Sequence, residues 1–220
     1  MPLPAVEIET AANPKHAVIW LHGLGADGHD FEPIVPELVD RAWPALRFVF
    51  PHAPVRPVTV NGGMPMRAWY DIAGMDIAQK QDEAGIRASI AELEQLIARE
   101  VERGIAAENI VLAGFSQGGA IVLAGGVRHA HKLGGIAALS TYLPLAEKTA
   151  AEASAANRAI PIFQGHGSAD PIVPQALGTL SRDHLQGLGY AVEWHSYPMA
   201  HQVCMEEIVE LRRWLGARLR

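Results

Sequence analysis

Apolar residues form short runs that alternate with longer stretches of helical periodicity. The runs predict buried strands at 17–21, 47–50, 110–113, 135–139, 160–164 and 191–197. Apolar residues at steps of three and four predict an amphipathic helix over 79–103, which Gly104 ends. Further helices are predicted at 117–126, 174–188 and 205–219. Strands that alternate with helices favour an α/β fold, with a mostly parallel sheet covered on both faces.

The chain shows no repeat and no linker, so its 220 residues predict one domain over 1–220. The proline-rich stretch 51–68 is interpreted as an irregular loop, and long loops in compact domains are often functional. About twenty residues separate Leu139 from Ile160, which is too few for a large cap domain over the sheet.

Charge and cysteine content narrow the function classes. The net charge is −6, from 18 basic and 24 acidic residues with no basic stripe, which argues against a nucleic-acid partner. A single cysteine, Cys204, excludes an internal disulfide and is compatible with a reducing compartment. No leader pattern and no apolar stretch near the ~18–20 residues needed to span a bilayer is visible, so a cytoplasmic location is expected.

The candidate chemistry centres on Gly114-Phe115-Ser116-Gln117-Gly118, which follows a predicted strand and precedes a predicted helix. This pattern is typical of a sharp strand-to-helix turn with the serine hydroxyl exposed at its apex. Glycines at 114 and 118 suit such a turn because neighbouring backbone passes close to them. The motif alone also fits a glycine-rich helix start with an ordinary capping serine, so partners must be found elsewhere in the chain.

A serine nucleophile needs a base, which in α/β-hydrolases is a histidine that follows the acid in the chain. Three histidines follow a plausible acid: His184, His195 and His201. His184 falls within a predicted helix and His195 within a predicted strand. His201 lies just beyond a strand's end, where catalytic loops of a parallel sheet belong, and is the predicted base.

The same argument selects Asp170 as the acid that orients the base. It lies in a glycine-containing loop after the strand at 160–164. Glu147 and Glu152 fall in an alanine-rich stretch that is typical of a solvated helix, and Glu193 lies within a strand. A carboxylate at 170 could also cap the next helix. The chain order Ser116, Asp170, His201 is the one that the fold requires.

An oxyanion hole needs two backbone donors. The N–H of Gln117, at the start of the helix after the serine, is one candidate. The N–H of Leu24 is the other, because His22-Gly23-Leu24-Gly25 directly follows the first strong strand. His22 is interpreted as a structural hydrogen-bonding residue. Since the predicted Gln117 donor belongs to the backbone, Gln117→Ala is expected to be milder than Ser116→Ala.

Two other groups are less specific. His129 and His131 could offer two metal ligands, but no third ligand is near in sequence, and a polar helix end is the favoured interpretation. Cys204 could be a second nucleophile, although a free cysteine is more often a small buried residue. The predicted chemistry requires no metal and no cofactor.

Four segments together resemble the phospholipase/carboxylesterase family of small α/β-hydrolases, which includes bacterial carboxylesterases and acyl-protein thioesterases. The segments are 21–28, 67–72, 114–119 and 167–170 with His201. The resemblance spans nearly the whole chain and implies a Ser116-Asp170-His201 triad, an oxyanion hole from Leu24 and Gln117, and often a homodimer. Ala26-Asp27-Gly28 looks closer to the bacterial esterases than to the eukaryotic thioesterases.

The favoured substrate is a small ester with an apolar acyl group of short to medium length, since no arginine cluster suggests a charged one. The candidate pocket walls are Met64, Met66, Trp69, Leu143, Ile172 and Val173, each of which could equally belong to the core. A thioesterase or lysophospholipase is the alternative enzyme. A non-catalytic binding protein on the same fold is a third hypothesis, which an intact triad disfavours.

Overall fold

The computed structural model describes residues 3–74 and 81–219. Seven strands form one sheet in the order β1-β3-β2-β6-β7-β8-β9, and every pair in it is parallel except β1 with β3. The strands are β1 Ala5–Glu9, β2 His16–Leu21, β3 Leu46–Pro51, β4 Val55–Val58, β5 Met64–Arg67, β6 Ile110–Phe115, β7 Gly135–Leu139, β8 Ile162–Gly167 and β9 Val192–Tyr197. The helices are α1 Val35–Leu38, α2 Glu83–Glu102, α3 Gln117–Gly126, α4 Ala146–Glu152, α5 Gln175–Gly187 and α6 Met205–Gly216.

Helices cover both faces of the sheet, as the alternating pattern predicts. Residues of α2, α3 and α5 pack with one face of the strands in a single apolar cluster. Residues of α1 and α6 pack with the other face in a second cluster that includes Trp20, Phe163 and Trp214. Since side chains of a strand alternate between faces, each central strand feeds both clusters and is buried along nearly its whole length.

The long helix shows how local signals set its ends. Asp82 caps α2, and its carboxylate accepts a hydrogen bond from Gly85 N–H. Gly104 follows the helix with φ = 92°, a left-handed conformation that glycine adopts readily. The predicted start at Gln79 lies outside the described residues, and the helix begins at Glu83.

Three features of the structure were not predicted from the sequence. The first, β1, is an antiparallel edge strand whose residues alternate only weakly in burial. The second, α1, has only four residues. The third is a hairpin of β4 and β5 within the stretch expected to be an irregular loop. Pro57 and Pro65 face each other in its register, and a two-stranded ribbon tolerates them because its outer edges need no N–H donors.

The topology brings the predicted site residues to one edge of the sheet. Parallel strands β2, β6, β8 and β9 end at the same side, and the segments that carry Leu24, Ser116, Asp170 and His201 follow those ends. This is the edge at which open α/β sheets bind their ligands. Among residues 3–74 and 81–219, no helix combines the length and apolar character needed to cross a bilayer.

Candidate active site

Ser116 occupies a strained position between β6 and α3. Its φ of 54° and ψ of −120° lie in a region that non-glycine residues rarely adopt. Backbone and side-chain bonds hold it there: Ser116 N–H donates to Leu139 O at 2.9 Å, and the Thr141 hydroxyl donates to Ser116 O at 2.6 Å. The strained turn projects the serine side chain toward the edge of the sheet, as the motif predicts.

The glycines of the motif are required by close backbone packing. A Cβ on Gly114 would lie 2.6 Å from the backbone of Gly118 and Gly119. A Cβ on Gly118 would collide with the carbonyl of Leu21 in β2. The tight turn is therefore wedged against the neighbouring strand, and this close approach confirms the predicted reason for glycine at both positions.

The structure brings Ser116, His201 and Asp170 into one hydrogen-bonded chain. Ser116 Oγ lies 2.9 Å from His201 Nε2, and His201 Nδ1 lies 2.6 Å from Asp170 Oδ2. Because the carboxylate can only accept, the imidazole carries its proton on Nδ1 and leaves Nε2 to accept from the serine hydroxyl. A base in this tautomer is ready to take a proton from the hydroxyl.

Asp170 is held by its own loop. Its side chain has no exposed surface, and Oδ1 accepts hydrogen bonds from the N–H groups of Ile172 and Val173, both at 2.9 Å. Oδ2 is thereby left for His201. His166 Nε2 lies 3.7 Å from the same oxygen but is paired with Val173 O at 2.8 Å, and burial lowers the pKa of His166. A neutral His166 leaves the interaction between Asp170 and His201 as the main contact of Oδ2.

The loops that carry Asp170 and His201 are bonded directly to each other. Ser168 N–H donates to Tyr197 O at 2.8 Å, and Ala169 N–H donates to Met199 O at 3.1 Å. Gly167 lets them approach, because a Cβ there would collide with the carbonyl groups of the His201 loop. The His201 ring also packs on Phe115, with ring centroids 4.8 Å apart.

The two predicted oxyanion donors lie on segments that adjoin the serine, since Gln117 follows it directly and a Cβ on Gly23, next to Leu24, would lie 3.5 Å from Ser116 Cβ. Gln117 is the first residue of α3, so its N–H has no acceptor inside the helix and lies at the positive end of the helix dipole. Leu24 follows β2, the strand next to β6. The two amides after it are engaged, since Gly25 N–H donates to Arg67 O at 2.9 Å and Ala26 N–H to Gly23 O at 3.3 Å.

The sequence analysis missed a network that fixes the predicted oxyanion loop, residues 22–25 after β2, which carries the predicted oxyanion donor Leu24. The Gln117 side chain accepts from Trp69 N–H at 2.8 Å and donates to Tyr70 O at 2.7 Å. The Trp69 indole N–H in turn donates to His22 O at 2.9 Å. The segment around Trp69 thus ties the start of α3 to the loop of Leu24. The only sign of this network in the sequence was the glutamine at 117, between Ser116 and Gly118.

His22 is structural, as its position before the serine predicts. Its Nε2 accepts from Ala53 N–H at 3.1 Å, so Nδ1 carries the proton and donates to Gly23 O at 2.7 Å. Burial lowers the pKa of His22, which keeps the ring neutral and preserves this pattern.

The residues predicted to line the pocket differ in their exposure to solvent. Met64 and Ile172 are well exposed, at 61% and 64%, and Met66 is half-buried. Leu143 and Val173 are nearly buried members of the core cluster beside α2 and α3. Trp69 has no exposed surface, so the expectation that it lines a pocket needs correction: its indole N–H donates to His22 O and supports the predicted oxyanion loop from inside.

The structure gives the residues that the sequence analysis set aside other positions or partners. His184 is in α5, and His195 is in β9, where its Nε2 pairs with Glu193 at 3.0 Å. His129 pairs with Glu94 at 2.7 Å. Cys204, at the N-cap of α6, is only partly buried, and burial raises its pKa, which disfavours the reactive thiolate.

One group of side chains has the composition of a metal site. Glu193, His195 and Glu210 place potential ligand atoms within 4.8 Å of one another, the one such group among the residues described. Arg213 already bridges the two carboxylates by ion pairs with both. A cation is therefore supplied by the chain itself, and the group is formed by the outer strand β9 and the helix α6 rather than by the segments around the serine.

A doubly covered, mostly parallel sheet with a strained serine turn at its carboxyl edge defines an α/β-hydrolase, and specifically a serine hydrolase. The chain belongs to the phospholipase/carboxylesterase family, whose model matches residues 3–218. The resemblance seen in the sequence motifs is thereby confirmed.

Named relatives agree with this assignment. The chain is 42% identical over 225 residues to an acyl-protein thioesterase 1 of Neurospora crassa, covering 98% of this chain and 92% of that protein. Among solved structures, Arabidopsis thaliana SOBER1 superposes with a TM-score of 0.88 at 30% identity, covering 93% of this chain and 99% of that one. Zea mays acyl-protein thioesterase 2 superposes with a TM-score of 0.86 at 29% identity, covering 99% and 100%.

Proposed function

We propose that the chain hydrolyses carboxylic esters of short to medium acyl chain, with Ser116 as nucleophile, His201 as base and Asp170 as the acid that orients it. The observation that carries these roles is the pair of contacts at 2.9 Å and 2.6 Å that joins the three side chains. The N–H groups of Leu24 and Gln117 are the proposed oxyanion donors.

The proposed cycle follows from these positions. His201 Nε2 takes the Ser116 proton as Oγ attacks the acyl carbon, and the two N–H groups stabilise the negative oxygen. Asp170 stabilises the imidazolium that forms. His201 then protonates the departing alcohol, leaving an acyl-serine. Water attacks this intermediate with His201 again as base, and His201 then returns the proton to Ser116 Oγ as the bond to the acyl carbon breaks and the acid product leaves.

Thioesters are the second candidate substrates. The observation that favours them is the name of the relatives, acyl-protein thioesterases, at 42% identity over nearly the whole chain. The same residues serve either substrate, since a thiol leaves in place of an alcohol. Met64 and Ile172, both exposed, together with Met66, are proposed as apolar contacts for the acyl group.

We also propose the domain organisation, the cellular location and the oligomeric state. A single domain over 1–220 accounts for the continuous sheet. A cytoplasmic location suits the one free cysteine. A homodimer is implied by the family resemblance and is tested by the molecular mass in solution.

A substrate panel with one variant tests the proposal. The panel is a series of p-nitrophenyl esters of increasing chain length, an acyl-CoA and a lysophospholipid. Rates that are greatest with the shorter esters support the main proposal, and a preference for acyl-CoA supports the thioesterase.

Ser116→Ala should lose at least about 10³-fold in kcat with an unchanged melting temperature. More than a few per cent residual activity would contradict the nucleophile assignment, and no hydrolysis by the unaltered chain would favour a binding protein.

A further inference from the structure

Glu207, in the first turn of α6, has a carboxyl group that is completely buried and unpaired. Its exposed fraction is 0%, and neither oxygen has a hydrogen-bond partner among the residues described. Glu100 is equally buried, but it pairs with Arg47 at 2.7 Å and with Arg103 at 2.9 Å. Burying a polar group without partners opposes folding, so the carboxyl at 207 needs a physical reason.

The carboxyl occupies the space left by a missing side chain in β8. A Cβ on Gly165 would collide with Glu207 Oε1, so the acid lies directly against the backbone of that strand. Two residues further along, Gly167 meets the His201 loop, and three residues beyond that comes Asp170. Glu207 therefore packs beneath the place where the two loops of the candidate site meet.

The groups around Glu207 supply little positive charge. From β9, His195 and Tyr197 lie on the same side of the sheet, with His195 stacked between Phe163 and Tyr197. Cys204, Glu206 and Glu210 belong to α6 or its cap, and His201 lies in the preceding loop. The Tyr197 hydroxyl is buried without a partner, and its pKa is raised by burial and by the nearby charges of Glu207 and Glu210. Burial raises the pKa of Glu207 to about 8, so the acid is neutral at pH 7.

The loop that bears His201 has two anchors. One anchor is the pair of backbone hydrogen bonds to the Asp170 loop, from Ser168 and Ala169. The other is α6, which begins four residues after His201 and whose first turn rests on β8 through Glu207. If the first turn of α6 shifts relative to β8, His201 must shift with it, because only three residues separate them.

We propose that Glu207 is a positioning residue whose protonated carboxyl seats the first turn of α6 on Gly165 and thereby keeps His201 within hydrogen-bond distance of Asp170. The inference rests on the proposed function, because it concerns the base and acid assigned there. An ionised carboxylate cannot remain in this place without water or a cation. On ionisation it draws water in or moves outward, the first turn leaves β8, and the contact between His201 and Asp170 lengthens.

The pH dependence of kcat/KM with a p-nitrophenyl ester tests the proposal. We expect kcat/KM of the unaltered chain to fall about tenfold or more between pH 7 and pH 9.5, with a midpoint near pH 8. Glu207→Gln has nearly the shape of the protonated acid but cannot ionise. It should match the unaltered chain within about twofold at pH 7 and stay level to pH 9.5. A parallel fall in Glu207→Gln, or a level profile in the unaltered chain, would overturn the proposal.

Further variants distinguish ionisation of Glu207 from ionisation of its neighbours. Cys204→Ser removes the nearby thiol and should keep the alkaline fall; loss of the fall in this variant alone would assign it to Cys204 and reject Glu207. Glu207→Met fills the same volume without polar atoms and gives a second test should the amide fail to fold. Ser116→Ala must be inactive at every pH, because activity there would refute the proposed function independently of Glu207.

Discussion

The two halves of the candidate site are held in place by different forces. The half that carries Ser116 is fixed by backbone packing: β2 and β6 are buried along nearly their whole length, and α3 is buried throughout. The half that carries Asp170 and His201 lies toward the edge strand β9, most of whose residues are only half-buried. In this half, the loops are held by hydrogen bonds between their backbones and by the buried, unpaired carboxyl of Glu207, rather than by close packing.

This difference predicts where solution conditions act. Contacts between carbon atoms and backbone do not titrate, so the position of the serine is independent of pH. The environment of Asp170 depends on whether the neighbouring His166 is protonated, and the buried position of the unpaired Glu207 carboxyl depends on whether that group is ionised. The proposed base, His201, is therefore expected to respond to conditions that leave the proposed nucleophile, Ser116, in place.

The largest effect is expected from filling the space beside the serine turn. In Gly118→Ala the added methyl group meets the Leu21 carbonyl, which belongs to the central strand β2 and cannot move aside. We expect the free energy of unfolding to fall by about 3 kcal/mol or more, and activity to be lost. Gly187→Ala is the matched control, because nothing lies within 4 Å of its Cβ position at the end of α5, and its stability should be unchanged or slightly higher. Equal destabilisation of both variants in urea would contradict the packing argument.

A smaller effect is expected from the buried carboxyl in the other half. The folded pKa of Glu207, about 8, lies above its value in the unfolded chain, so this group makes the folded state more stable at low pH than at high pH. That contribution is complete below about pH 4.5 and is lost as pH rises to 8. Relative to Glu207→Gln, the unaltered chain should lose on the order of 3 kcal/mol of stability between pH 5 and pH 8. Urea unfolding at the two pH values measures this, and an unchanged difference between the two proteins would show that the pKa of the carboxyl is the same in the folded and the unfolded chain.

Much of the fold follows from local sequence patterns. Apolar runs mark the strands at 17–21 and 110–113, and glycine at 104 ends the long helix, because these signals depend on neighbours in the chain. The hairpin of β4 and β5 does not follow from such a pattern, since its prolines resemble those of a loop. Its pairing depends on two segments that meet only in the folded chain.

The site shows the same division. Chain order and strand ends are enough to predict Ser116, Asp170 and His201 as partners, and their contacts agree. Glu207 was missed because an acid in the first turn of a helix is usually an exposed group that favours the helix dipole. Its spacing from Leu211 and Trp214 places it on the apolar side of α6, which was a usable signal. Its burial against Gly165, 42 residues earlier, could be known only from the fold.

The smallest of these effects concerns Gln117, whose side chain joins the start of α3 to the segment around Trp69, which in turn holds the predicted oxyanion loop. Gln117→Ala leaves Trp69 N–H and Tyr70 O without partners and loosens the segment whose indole holds His22 O. We expect kcat to fall about 10- to 100-fold, or about 1.4 to 2.7 kcal/mol, which is more than a backbone donor alone suggests and less than in Ser116→Ala. Gln164→Ala removes a buried glutamine of β8 whose side-chain oxygen is unpaired, and it should change kcat little. Equal losses of kcat in both variants would mean that Gln117 acts through general stability, whereas a loss confined to Gln117→Ala would place the effect in the predicted oxyanion loop.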